Sequence, residues 1–165
     1  VDTPAMPSVK SYSPADPKPL GGYAILLLVF NGLVALIVAA FLKSRRRLPD
    51  EIPARDMALL SVGTFKLSRL ITKDKVTAAV RAPFTRYQGD AGPAEVSEEA
   101  RGTGLHRAVG ELLACPYCIG QWVATVLMAG YLWNPRLVRT TASLFAVVTG
   151  ADYLQQAWVA VDKAA

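Results

Sequence analysis

The sequence predicts an all-α membrane protein, with three transmembrane helices plus one short amphipathic or re-entrant helix, or else four spans. Three observations carry that prediction. Hydrophobic residues make up 52% of the 165 positions, and the mean hydropathy of +0.28 is high for a soluble domain of this size. Charged residues are few, at 19%, and they cluster. One run, Gly21 to Leu42, is apolar for 22 residues with Asn31 as its only strongly polar side chain. At 1.5 Å per residue such a helix spans roughly the 30 Å of a bilayer's hydrocarbon core.

Residues 1–20 hold five prolines (Pro4, Pro7, Pro14, Pro17, Pro19) and almost no large aliphatics. A segment of that composition buries too little surface to offset its chain entropy, and it reads as an extended, disordered arm. The apolar run 21–42 follows as the first transmembrane helix. Its charges, Lys43 and Arg45–Arg47, come after the run, whereas a cleavable signal peptide carries them before it. They place this end of the helix in the cytoplasm and the arm outside, in a multi-pass protein of the inner (plasma) membrane. The net charge of +5 is thereby explained as anchoring to a membrane surface. Nucleic acid is excluded as a partner, because no aromatic–basic interleaving or finger spacing accompanies the charge.

Leu48 to Asp56 is a polar connector punctuated by Pro49 and Pro53. Residues 57–72 read as a helix too short for a comfortable span, with Lys66 and Arg69 on one face of its last turns. It either spans, with both cations snorkelling, or lies in the interface. The following loop, 73–110, carries six cations: Lys73, Lys75, Arg81, Arg86, Arg101 and Arg107. The positive-inside tendency therefore favours a helix that does not span and a loop that stays with Lys43–Arg47 on the cytoplasmic side. Within the loop, Gln88–Pro93 is a turn-rich tip, a short helix starts near Ser97, and Gly102-Thr103-Gly104 ends it. Nothing reads as a strand. Residues 107–133 read as one helix, stopped by Asn134-Pro135, with Trp122, Tyr131 and Trp133 as interfacial anchors. The last span is 141–161, with the small residues Ala142, Ala146 and Gly150 recurring every four positions.

Two constellations bear on chemistry. Cys115-Pro116-Tyr117-Cys118 holds the only two cysteines. This spacing suits a redox pair, half a metal site, or two small packing residues. The tetrapeptide is that of the glutaredoxin active site, where the first thiol sits at a helix N-terminus and its thiolate is stabilised by free amides. Here Gly110–Ala114 already reads as helix, which puts Cys115 inside a helix, and no thioredoxin-like pattern of strands surrounds it. Packing is the favoured reading of both thiols. No closed metal set exists, since His106 is the only histidine, and no cofactor is expected. The second constellation is intramembrane: Asp152 near mid-span, with Gln155 and Gln156 one turn on, and Lys66 and Arg69 as candidate partners. An acid at that depth faces a partner. An interhelical ion pair is favoured over a proton relay, which would need more ionisable groups.

Three blocks carry a resemblance. They are Thr64-Phe65-Lys66-Leu67-Ser68-Arg69-Leu70-Ile71-Thr72 followed by Asp74; Arg81-Ala82-Pro83-Phe84; and Gly110-Glu111-Leu112-Leu113 leading into Cys115-x-x-Cys118-x-Gly120-x-Trp122. Together they make residues 57–161 resemble a family of small bacterial integral membrane proteins known only as a domain of unknown function. Lys66 stands where the pattern expects arginine. The resemblance implies membrane integration and no known activity, and it leaves the arm and first span as additions to a family core. The function expected first is a non-enzymatic accessory or packing partner in a membrane assembly, in contact with the lipid bilayer and with other membrane subunits. A membrane thiol–disulfide oxidoreductase using Cys115 and Cys118 comes second, and a small proton-coupled transport component using Asp152 third.

Overall fold

The computed structural model describes residues 12–164; most of the proline arm's expected course, residues 1–11, lies outside the described part. The apolar run becomes α1, Leu20–Lys43, and the chain turns away at Ser44 with Lys43 in the last turn. Almost none of α1 is buried. Its leucines and valines, Leu27, Leu28, Leu36 and Val38 among them, point away from the rest of the chain. Pro53 supplies a start for α2, Ala54–Thr72, one turn earlier than the sequence suggests.

The segment after α2 corrects the all-α expectation. A single helical turn, α3 (Ala78–Arg81), leads into two strands, β1 (Thr85–Gly92) and β2 (Glu95–Ala100). They form an antiparallel hairpin in which Thr85 faces Ala100 and Tyr87 faces Glu98, with register shifts between Tyr87 and Gly89 and between Asp90 and Gly92. Ser97–Glu99, expected to open a helix, lies in β2. The turn itself is Pro93-Ala94; of the expected tip Gln88–Pro93 only Pro93 lies in it, and Gln88–Gly92 belong to β1. The alternation that marks a strand is nearly invisible here, because only Thr85 and Val96 of the two strands are buried and the remaining positions are largely charged or small. Gly104 then begins the next helix at φ 55°, a conformation that glycine adopts without strain.

The expected helix over 107–133 is two helices, α4 (Gly104–Ala114) and α5 (Pro116–Trp133), bent by 80° at Cys115. Asn134, whose side chain accepts from the Leu137 N–H at 3.1 Å, caps α6, Pro135–Asp162. This helix starts six residues earlier than the expected last span. α2, α5 and α6 pack together around Leu60, Leu127, Tyr131 and Val138. Gly63 of α2 lies against Ala142 of α6, which is fully buried. At Gly150, the last of the expected small-residue series, an added Cβ would meet open space, so no helix packs closely there.

Among the described helices, only α1 is by itself long and apolar enough to cross a membrane, with a mean hydropathy of 2.9; α4 and α5 qualify only as a bent pair. The expected spans 107–133 and 141–161 do not meet that test singly. Direction follows from the contacts. Phe30 meets Trp122 and Phe41 meets Trp133, so α1 runs parallel to α5. α2 and α6 run antiparallel to α5: Asp56 of α2 bonds Tyr131 near the end of α5 and Arg139 near the start of α6. The hairpin and α4 therefore lie at the end of the bundle where α1 begins. Lys43–Arg47 lie at the other end, where Arg46 donates to the Trp133 carbonyl at 2.7 Å. The 73–110 segment, expected on the same side as Lys43–Arg47, lies at the opposite end of the bundle, because α2 carries the chain from one end to the other.

Candidate functional site

The site starts from a capping choice. Cys115 takes an extended conformation (φ −110°, ψ 107°) as the N-cap of α5, with Pro116 at the first helical position. Its Sγ accepts from the Cys118 N–H at 3.2 Å, and the two sulfurs are joined as a disulfide. Cys115 is therefore at the positive end of a helix and not inside one, which corrects the expectation from sequence. The reason is that proline disfavours helical geometry in the residue before it, which outweighs the helical character of Gly110–Ala114. Cys118 is exposed and Cys115 half-buried. A thiolate at Cys115 would meet free amides and the positive end of the helix dipole, the setting that lowers a cysteine pKa below its ordinary value of about 8.5.

The elements that hold this corner are specified by close contacts. A side chain at Gly110 would collide with the Phe84 carbonyl, so glycine lets α4 lie flat on the hairpin. Glu111 accepts from Tyr23 of α1 and, at 3.0 Å, from Arg107. Arg107 reaches on to Asp16 at 2.8 Å, and thereby holds part of the arm against α4. Lys18 and then Arg107 keep the Asp16 carboxyl below the usual carboxylate range. At Gly22 a Cβ would stand 2.6 Å from the Ala108 Cβ. His106 stays outside the corner, with Nδ1 3.0 Å from the Arg101 carbonyl and its ring on Phe84.

The second constellation assembles in one place. Lys66, Arg69, Asp152, Gln155 and Gln156 all line a cleft of about 870 Å³ between α2, α6 and the hairpin tip, with Lys163 at its rim. Lys66 Nζ lies 2.5 Å from Asp152 Oδ2. Arg69 takes a different partner from the one expected. It grips Glu95 of β2 with two parallel bonds, from Nε at 2.9 Å and from Nη2, and its guanidinium lies over the Phe65 ring. Arg69 also borders an open apolar groove of about 550 Å³ between α2 and α5, whose upper end is Pro116 and Tyr117.

Sequence reading missed two polar networks. Arg81, 1% exposed, donates to Glu98 at 2.5 Å, to the Ile71 and Asp74 carbonyls and to Thr77. It staples the hairpin to the end of α2. Asp56, equally buried, accepts from Tyr131 at 2.7 Å and from Arg139 at 2.9 and 2.6 Å. Tyr131, expected as an interfacial anchor, is thus a core residue, while Trp122 and Trp133 pack on α1. The available signal was Arg81 itself, which lies inside the Arg-Ala-Pro-Phe block with no surface role to explain it.

Among known proteins, a family described as Protein of unknown function (DUF1360) matches residues 59–158. Sporulation protein YjcA of Bacillus subtilis (strain 168) is 33% identical over 102 residues, covering 60% of this chain and 86% of that protein. UPF0713 protein YngL of the same organism is 25% identical over 108 residues, covering 66% and 82% respectively. No solved structure matches the chain significantly. The matched segment runs from within α2 to near the end of α6, takes in the hairpin, the Cys115 corner and the charged cleft, and leaves α1 outside: this chain belongs to the DUF1360 family.

Proposed function

We propose that this chain is an integral membrane protein whose working group is the Cys115–Cys118 pair, a thiol–disulfide exchange site at the end of the bundle where α1 begins. α1 crosses the bilayer, α5 runs beside it, and α4 lies across the end of both in the interface. α2 and α6, too polar to face lipid all round, turn Lys66 and Asp152 toward each other. Lys43–Arg47 keep the opposite end cytoplasmic, so the cysteines face the exterior, where disulfides persist. The observation that carries this reading is Cys115 as the N-cap of α5, accepting the Cys118 N–H and followed by proline. A packing cysteine has no need of that position.

The test is the pH dependence of alkylation of the reduced protein, measured on Cys118→Ala so that Cys115 reacts alone. Inflection clearly below the ordinary cysteine value of about 8.5 is expected. Inflection at or above it, or a native disulfide that excess dithiothreitol leaves intact, would make the pair a structural staple.

A second reading is favoured by the exposed apolar length of α1 and by the name of one relative, a sporulation protein. It is a non-catalytic subunit of a membrane assembly that serves sporulation. Mild-detergent isolation distinguishes the two: stoichiometric co-purifying subunits together with unreactive cysteines support the second.

A further inference from the structure

The two ends of the bundle use their cations differently. Toward the end where α1 begins, Lys18, Lys66, Arg69, Lys75, Arg81 and Arg107 each meet a carboxylate of this chain. At the opposite end Lys43, Arg45, Arg46, Arg47 and Arg136 are all exposed, and none of them forms an ion pair among the described residues. Arg139 is spent there on the buried Asp56. The connector adds two exposed acids, Asp50 and Glu51, which leave this end positive. Arg45 sits just past the C-cap of α1 in a left-handed conformation, φ 53°. Glycine is the usual residue at such a position, because a side chain there costs conformational energy. The turn gains nothing from an arginine; the use of Arg45 lies in its charge. Arg46 is held in place: Nη1 donates to the Trp133 carbonyl at 2.7 Å, which leaves Nε and Nη2 without a hydrogen bond among the described residues. Three residues after that carbonyl comes Arg136, the second residue of α6. One guanidinium from the end of α1 and one from the α5–α6 turn thus share a corner. The rings of Phe41 and Trp133 meet beside it, and the exposed Leu42 and Leu137 flank it.

Resting on the membrane reading of α1 and not on the chemistry of the cysteines, we propose that this corner binds an anionic phospholipid of the inner leaflet. Its phosphodiester lies between Arg46 and Arg136, and its acyl chains lie beside Leu42 and Leu137. Charge complementarity selects it. A guanidinium offers paired N–H donors to phosphate oxygens, and each further cation near the headgroup adds attraction for a lipid with net negative charge. A zwitterionic lipid brings its own ammonium into the field of Arg45 and Arg47, which repel it. The bound lipid ties α1, which lies outside the family match, to the turn between α5 and α6.

The test is native mass spectrometry of the full chain, released from detergent after titration with dioleoylphosphatidylglycerol or dioleoylphosphatidylcholine. Phosphatidylglycerol is expected to bind about tenfold more tightly than phosphatidylcholine. Arg46→Gln combined with Arg136→Gln should abolish that preference. Arg86→Gln combined with Arg101→Gln removes the same charge from exposed cations at the other end and should leave it intact. Equal binding of the two lipids, or equal loss in both double variants, would overturn the site. So would displacement of the lipid by millimolar inorganic phosphate and not by chloride at matched ionic strength, which would mark a site for free phosphate. A chain that stays monomeric in detergent-free buffer would sink the membrane reading itself. Should the Arg46 and Arg136 double variant fail to fold, hydrogen exchange of the unaltered protein decides. Amide exchange at 44–48 and 136–138 must be slower in phosphatidylglycerol nanodiscs than in phosphatidylcholine ones, and equal rates there would remove the lipid from this corner.

Discussion

Gly110 and Gly22 are where single atoms decide the packing. Each admits another chain segment to a distance that a methyl group forbids. Gly110→Ala is expected to lower stability by about 1–3 kcal/mol, the usual cost of overpacking, because the obstacle is the Phe84 backbone and cannot swing aside. Thermal unfolding in detergent measures it, and an unchanged midpoint would mean that α4 does not lie on the hairpin as described. Lys66 and Asp152 support a second test. Their pair is partly exposed, so the coupling from a cycle of Lys66→Met and Asp152→Asn should be modest, about 0.5–2 kcal/mol; strictly additive losses would remove the pair from the account. Asp16 gives a pH test. Its folded-state pKa is depressed, by Lys18 first and Arg107 second. The contact of the arm with α4 is therefore fully present above the unfolded value of about 3.9 and is lost as pH falls through the folded value. Protease cleavage within residues 12–19 should rise at acid pH, and Asp16→Asn should reproduce that rise at neutral pH. At this scale the sequence was only partly legible. Asp152 with Lys66 could be anticipated because a charge in an apolar run needs a partner. Arg69 with Glu95 could not, because it depends on where a hairpin tip lands.

At the scale of elements, the chain announces helices by composition and hides its strands. α1 is readable because Gly21 to Leu42 is apolar but for Asn31, with no proline to interrupt a helix long enough to cross a membrane. The hairpin is hard to read because it is held less by apolar burial than by Arg81, Glu98 and backbone bonds such as Val96 N–H to the Lys73 carbonyl at 2.8 Å. The breaks at the two ends of α5 are written in the sequence in the same way. Cys115-Pro116 and Asn134-Pro135 are the same device, a capping residue followed by proline at the first helical position. Only the second stood out, because a helical stretch runs up to the first. The hairpin also makes topology testable. In a background lacking both native cysteines, a cysteine at Gly89 should react with an impermeant maleimide in intact cells, and one at Ser44 only after lysis. The reverse pattern would invert the molecule in the membrane.

Across the whole molecule, α1 lies outside the segment that matches the family. The matched segment starts within α2, and α1 touches it mainly through α4, at Gly22 and Tyr23, and through the rings of Trp122 and Trp133. Removing residues 1–43 should therefore leave a folded but less stable unit, with helical circular dichroism retained and an earlier thermal midpoint. Complete loss of helical signal would mean that the family segment depends on α1 to fold here.

The direction of the helices has a further use. α1 begins beside Arg107, and α6 finishes with Val159, Ala160 and Lys163 beside the hairpin tip, so the chain enters and leaves the bundle on one face. Halves of a split reporter, one placed before Leu20 and the other after Asp162, would meet in one compartment and reconstitute a signal within a single molecule. That shared end makes the bundle a candidate for circular permutation: a linker long enough to cross it could join the start of α1 to the end of α6, and new ends could be opened at Asp50, between α1 and α2, with no helix asked to change its direction.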